Sequence, residues 1–397
     1  NLYVSEWLSH DIRTIALSDA ATSTFAGAYL TSGYTDDVGT AAACQIVGGW
    51  LVDRWDVTRV YAAGFLLWSA ATLAIGLANS FAMLLALRLI LGMGESVAFP
   101  AYSKLLASGF REEQRGLANS IIDSATKFGP AIGVLFGGWF IGLYGWRLFF
   151  IVTGGLSLLW LLPWWRYAPR QQAGEETHAA GPGWPEILKS RAAWATFLGL
   201  FCNNYNWFLL LTWLPSFLVR ERHYTMSQMA VINALPLCVT AVSTLIAGWC
   251  SDRLIARGAV VVRLRRNFMA TGLGISALTL PLATLTDPRL ALAALGLAFF
   301  GIGIYCSNSW ALTQTLAGPG AAGRWTGLQN SFANLGGVVA PLVTGYLVER
   351  TGTFLAAFLT SSAVLAFGVF VYLVVLPMPE TAVSGPARPS RPGTASA

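Results

Sequence analysis

Long apolar stretches separated by short polar ones run down almost the whole chain, and their length decides the element type. Such runs occupy residues 38–52, 60–79, 81–102, 116–141, 147–168, 193–218, 228–250, 268–286, 290–314, 327–348 and 354–376. About 20 helical residues cross a hydrocarbon core of roughly 30 Å, while a spanning strand needs only about 10. Helices and closed barrels alone satisfy every backbone polar group in lipid. The runs are too long for barrel strands, so they predict eleven membrane-spanning helices. The polar, Pro- and Gly-bearing stretch 166–192 predicts a central loop, and 378–397 a disordered tail. The expected division is an N-terminal transmembrane half over 1–165, the loop over 166–192, a C-terminal half over 193–377 and the tail.

An internal repeat supports this division. GGWLVDR (48–54) returns as AGWCSDR (247–253). GLANSIIDSATKFGP (116–130) is matched by GLQNSFANLGGVVAP (327–341), which aligns Gly116 with Gly327, Asn119 with Asn330, and Asp123 with Asn334. Two halves of six helices fit a parallel duplication of this kind, and that leaves the chain one helix short. Residues 1–37 contain no clean apolar span, and Asp36–Asp37 falls where the second helix should be under way. Two readings stay open: a divergent first helix, or a segment out of register, as a frameshift would leave it. Resequencing the coding region separates them.

Composition agrees with the membrane reading. The chain is 55% hydrophobic and 11% charged, against about 25% charged residues in a soluble domain. Its net charge of +6 does not indicate nucleic-acid binding, which needs a clustered basic face; here the charges sit in short loops. Lys and Arg crowd one set of loops, from Arg54, Arg59 and Lys104 through Arg166, Lys189, Arg265 and Arg324 to the tail. The opposite set holds Arg147, Arg220, Arg222, Arg289 and Arg350. Basic loops stay inside, so the first set, the central loop and the C-terminus are expected to be cytoplasmic. The five cysteines fit neither a zinc spacing nor a disulfide framework. No cleavable signal peptide is evident. Phosphate-cradling loops, metal-ligand clusters and nucleophile–base pairs are not evident either, so no enzymatic activity, metal or cofactor is expected.

Charges within the spans need a reason, because each costs roughly 2.5–3.5 kcal/mol on insertion scales. Four lie deep: Arg88, Glu95, Asp123 and Lys127. Arg88 and Glu95, seven residues apart, share one helix face about 10 Å apart along the axis. A carboxyl in a low-dielectric cavity can load and release protons near neutral pH, which suits Glu95 to proton coupling with Arg88 biasing it. The plainer reading is a pair that staples two helices. Asp123 and Lys127 are i,i+4 neighbours: either a mutually neutralised pair, or a counter-charge for an anionic solute, with Asp123 positioning Lys127. Uncharged candidates for the lining are Asn203, Asn204, Tyr205 and Asn206, then Ser309, Trp310 and Gln314, then Asn330 and Asn334. Such amides and hydroxyls bind polyhydroxylated solutes, or simply join helices at about 0.6 kcal/mol each.

At GGWLVDRWDVTR (48–59) the chain resembles the signature loop of the major facilitator superfamily. Asp53, Arg54 and Arg59 match it, while Asp56 replaces its usual glycine. The resemblance implies a gating role, in which the loop's charges clasp neighbouring helix ends in one access state; Asp252 and Arg253 repeat the pattern. RLILGMGESVAFPA (88–101), GPAIG (129–133), TWLPSFL (212–218) and NSFANLGGVVAPLVTGYL (330–347) narrow the resemblance to the anion:cation symporter family. That family includes bacterial sugar-acid permeases, and in it an acid on the fourth helix is assigned to proton coupling. The implied protein is an all-α membrane protein with the major facilitator fold, two six-helix halves, and a first helix that is degenerate or out of register. It would be a monomeric, multi-pass importer in a bacterial inner membrane, carrying a small organic anion such as a sugar acid together with protons, by alternating access. A proton-antiporting exporter, or a transport-inactive protein with a damaged first helix, are the competing readings.

Overall fold

The computed structural model describes residues 2–6, 11–15, 22–26, 34–169, 181–285 and 287–378. Residues 170–180 of the expected central loop, and all but the first residue of the expected disordered tail, lie outside the described residues. Helices dominate: α1 (Tyr34–Arg54), α2 (Val57–Ile75), α3 (Phe81–Glu95), α4 (Ala98–Gly109), α5 (Glu112–Leu159), α6 (Leu161–Tyr167) and α7 (Trp184–Lys189). There follow α8 (Arg191–Arg220), α9 (Met226–Ala256), α10 (Val261–Thr279), α11 (Leu282–Leu285), α12 (Pro288–Ala317), α13 (Ala322–Thr351) and α14 (Leu355–Phe370), the last extended by a π-helical turn at Val371–Val375. Among the described residues, eight helical stretches are long and apolar enough to cross a membrane. The more polar α1, the first part of α5, and α8 can afford fewer apolar residues because they face other helices.

Local chemistry sets the breaks. Gly145 sits inside α5 at φ 80° and ψ 160°, a left-handed value that a side chain would strain. It divides α5 into two spans where the apolar pattern lapses between 141 and 147. Ser80 caps α3, and Asp287 caps α12. Asp56 has a local task too: its Oδ1 accepts from the backbone N–H of Thr58 at 2.8 Å, starting α2. A glycine could not do this.

The repeat becomes a set of paired elements. The motifs place α1 opposite α9, so α2 corresponds to α10, α3–α4 to α12, the first part of α5 to α13, and the remainder of α5 with α6 to α14. Of the long helices, α8 lacks a counterpart among the described residues. Where one would stand, β1 (Leu2–Glu6), β2 (Asp11–Ile15) and β3 (Thr22–Ala26) form an antiparallel meander. Five-residue strands cannot span a bilayer, and among the described residues no helix precedes Tyr34. The consequence shows in the cores. The second half packs Tyr205, Leu209, Phe217, Tyr305, Phe358 and Tyr372 into one cluster, whereas the first half buries Val52, Val57, Tyr61, Val97 and Ala101.

The halves meet along two crossings, α1 on α13 and α5 on α9, and glycine makes both possible. A Cβ on Gly49 would lie 2.4 Å from the Gly323 carbonyl oxygen, and one on Gly248 would lie 2.6 Å from that of Gly116.

Candidate functional site

At the basic end of the bundle, each half reaches into the other with an aspartate. Asp53, in the last turn of α1, accepts from the backbone N–H groups of Gly323 at 3.1 Å and Arg324 at 2.8 Å, and from Arg324 Nε at 3.0 Å. These are free N–H groups in the first turn of α13, so the carboxylate acts as a cap supplied from the opposite half. Lys104 on α4 donates to the carbonyl oxygen of Val52 at 2.8 Å and stands 3.8 Å from Asp53 Oδ1. In the second half Asp252 accepts from Gly116 N–H at 2.9 Å and Leu117 N–H at 2.7 Å. Beside it the fully buried Arg265 donates to Glu112 Oε2 at 2.9 Å, to the Glu112 carbonyl at 2.7 Å and to the Ala311 carbonyl at 2.7 Å, and Arg115 pairs closely with Glu112.

Of the five expected gating residues, the structure thus brings Asp53 and Asp252 to the contact between halves. Arg54 and Arg253 turn outward, each over the ring of a tryptophan one turn earlier, Trp50 and Trp249. Arg59 is exposed and pairs with Asp56 at 3.6 Å. The cations at the clasps are Lys104, Arg265 and Arg324, which the sequence offered only as loop-end basic residues.

Towards the bundle's middle, three layers of side chains cross between the halves. Ser103 and Thr326 share a hydroxyl hydrogen bond of 2.7 Å. Asn119 and Gln314 exchange a reciprocal pair of amide hydrogen bonds, each 3.0 Å. Phe99 and Trp310 lie with ring centroids 5.2 Å apart. Phe99, Ser103, Asn119, Trp310 and Gln314, with Tyr102, Ile122 and Asp123, line a constricted cavity of about 10 Å³, room for roughly one water molecule.

Asp123 lines this cavity, and Lys127, one turn further along α5, pairs with it without being a lining residue. Lys127 Nζ donates to Asp123 Oδ1 at 2.8 Å and lies 5.2 Å from the centre of the Trp207 ring on α8. Lys127 therefore points across to the opposite half, not outward to lipid. Asp123 Oδ2 is buried without a hydrogen-bond partner. Arg88 and Glu95 are both exposed on α3. Helical spacing would align them with Phe99 and Ser103 across the break between α3 and α4, but neither is among the residues that line the cavity.

The uncharged candidates divide. Trp310 and Gln314 line the cavity. Ser309 is buried instead in the second half's core, donating to the Tyr305 hydroxyl, which in turn meets that of Tyr372 at 2.8 Å. Tyr205 is likewise a core residue, drawn there because Gly336 lets α13 approach the backbone of Asn204 and Tyr205. Asn204 and Asn334 are half-buried, Asn330 is buried, and none of the three lines the cavity. Asn119 and Tyr102 are the residues that sequence reasoning missed. Alignment of Asn119 with Asn330 in the repeat was the available signal.

Comparison with known proteins agrees with this architecture. The profile of the Major Facilitator Superfamily matches residues 7–341. A probable sulfoacetate transporter of Cupriavidus necator is 31% identical over 355 residues, covering 85% of this chain and 82% of that protein. A D-galactonate transporter of Escherichia coli is 30% identical over 360 residues, covering 84% and 83%. Among solved structures, the fucose:proton symporter of E. coli superposes with a TM-score of 0.70 at 16% identity, over 87% of this chain and 91% of that one. A repeat of helices, crossed carboxylate caps at one end, a central cavity between halves and these matches together place the chain in the Major Facilitator Superfamily, as a multi-pass membrane transporter and not an enzyme, homologous to carriers of organic anions and sugar acids.

Proposed function

We propose that the protein imports an organic anion of the sugar-acid type together with protons, by alternating access between the halves 1–165 and 193–377, as a monomer in a bacterial inner membrane. The basic end, with the C-terminus, is cytoplasmic by the rule for basic loops. The observation that carries the reading is Lys127, a cation paired with the cavity-lining Asp123 and set against Trp207 of the opposite half, beside a cavity whose lining apart from Asp123 offers amides and hydroxyls. A carboxylate needs such a cation, and a polyhydroxylated body needs such neutral partners. The names of the relatives, carriers of sulfoacetate and D-galactonate, favour the same solute class. Glu95, on α3, loads and releases the proton, with Arg88 two turns away.

The clasps at Asp53 and Asp252 hold the cytoplasmic side shut. Alternating access then means breaking both caps while the outer ends of the halves approach.

Proteoliposomes with an imposed inward pH gradient provide the test, with D-galactonate, D-glucarate and sulfoacetate as probes. Glu95→Gln should abolish gradient-driven accumulation while leaving counterflow exchange measurable. Equal loss of both activities removes Glu95 from coupling. Failure of the wild type to take up any of the three probes sinks the anion reading itself.

A further inference from the structure

We propose that Asp123 is a proton site switched by the transported anion: a solute carboxylate that draws Lys127 away leaves Asp123 to take up a proton, so that anion and proton are bound as one unit. This rests on the symport reading above and adds to it the residue and the order of events.

The geometry suggests the exchange. Asp123 is 6% exposed, and its two oxygens are unequal. Oδ1 accepts from Lys127, whereas Oδ2 has no hydrogen-bond partner and belongs to a side chain in the cavity wall. Among the described residues, the titratable groups that face it are Lys127 on its own helix, Cys306 on α12 and Tyr102 on α4. Trp207 on α8 contacts Lys127, and the Ala241 carbonyl on α9 accepts from the neighbouring Ser124. Lys127 is thus the one cation next to the carboxylate among the described residues. Its ring contact with Trp207 can persist while its ammonium changes carboxylate partners.

In the resting arrangement the pair is neutral. An arriving carboxylate adds one negative charge to a site of low dielectric, and two carboxylates cannot both be compensated by one ammonium. A buried carboxylate without its counter-charge is neutralised by a proton in preference to staying charged. The balance is simple. Lys127 stays protonated and exchanges its N–H···O contact from Asp123 to the solute. One proton from the outer water binds Asp123 as an O–H group. When the anion leaves on the other side, Lys127 returns and the proton is released there. One monoanion and one proton cross per cycle with no net charge moved. Glu95 remains the vestibule group through which protons are delivered.

The test reads protons taken up when anion binds to purified, lipid-supplemented protein in weakly buffered solution. D-galactonate, D-glucarate and sulfoacetate serve as the probes, and binding is measured in parallel. Linkage predicts about one proton per monoanion bound by the wild type. Asp123→Asn should bind anion with at least a fivefold smaller uptake, while Glu349→Gln, at an exposed carboxylate outside the site, retains the wild-type value. Undiminished uptake in Asp123→Asn overturns the proposal, as does none in the wild type. Should Asp123→Asn fail to fold, the wild-type measurement still decides. Where no probe binds or enters vesicles, the anion reading fails and takes this one with it. Proton-coupled import by the wild type that survives Asp123→Asn leaves that reading standing and removes only the switch.

Discussion

Lys127 is fixed by three contacts, a 2.8 Å ion pair, a 3.2 Å hydrogen bond to the Thr126 hydroxyl and a cation–π contact across to α8. Replacing it with Gln removes the ammonium while leaving the Asp123 carboxylate buried. Losing one partner of a buried pair typically costs about 3–5 kcal/mol, so Lys127→Gln should lower the thermal midpoint of the purified protein as well as weaken anion binding. Uptake kinetics should show Km for the transported anion raised at least tenfold; an unchanged Km would return the pair to a purely structural role. Lys127→Gln with Asp123→Asn should recover most of the lost thermal stability without restoring Km, because the orphaned charge is gone and the anion's partner is still missing. The four intramembrane charges were legible in the sequence because a charge inside an apolar run stands out. Gln314 was a candidate too, but Asn119 and its pairing with Gln314 were not legible, since that pairing depends on the register of two helices nearly 200 residues apart. Ser309 and Tyr205 looked like lining for the opposite reason: a hydroxyl in a span carries no mark of whether it faces a cavity or, as here, a buried partner within one half.

At the scale of the element, the repeat in the sequence foretold the paired helices, and the structure explains which residues of the motif matter. Asp53 and Asp252 are invested in backbone N–H groups of the opposite half, whereas the arginines that follow them lie over their own tryptophans. The glycines one turn before these aspartates, Gly49 and Gly248, set how closely the crossings pack. A Cβ at either position would meet backbone oxygen well inside contact distance, and backbone cannot swing aside as a side chain can. Gly49→Val or Gly248→Val should therefore wedge α1 from α13, or α5 from α9, pull the caps apart, and open the basic end. A cysteine introduced at Ser103, which meets Thr326 across the halves, reports this. In a background lacking the native cysteines, its labelling by a membrane-impermeant maleimide supplied on the side of the basic end should rise at least fivefold in either variant. Unchanged labelling would mean that the crossings absorb the extra volume without parting. Asp53→Asn should act in the same direction but more weakly, since the amide oxygen still accepts one hydrogen bond.

For the whole molecule, the two halves are unequal in a way that composition alone does not reveal. The second half has six spanning elements, with α8 packed on α13 and α14; the first has no counterpart of α8 among the described residues. Its α3 buries only Gly94 and α4 one face, while α12, the counterpart of the two together, is buried along most of its length. On α5 the residues Phe128, Ile132, Phe136, Trp139 and Leu143 form an exposed apolar stripe opposite Asp123 and Lys127. In lipid such a stripe carries no penalty of water exposure, but it forgoes the packing that holds helices to one another. Local stability follows contact density, so the first half should open more readily. Hydrogen exchange of the lipid-reconstituted protein should show amides of α3 and of α5 beyond Gly129 exchanging at least tenfold faster than those of α8 and α12. The glycine-packed crossings α1–α13 and α5–α9 should be protected to a similar degree on both sides, because each half supplies one member of each contact. Equal protection of α3 and α12 would mean that the slot opposite α8 is filled in the membrane, and that the inequality between the halves does not persist there.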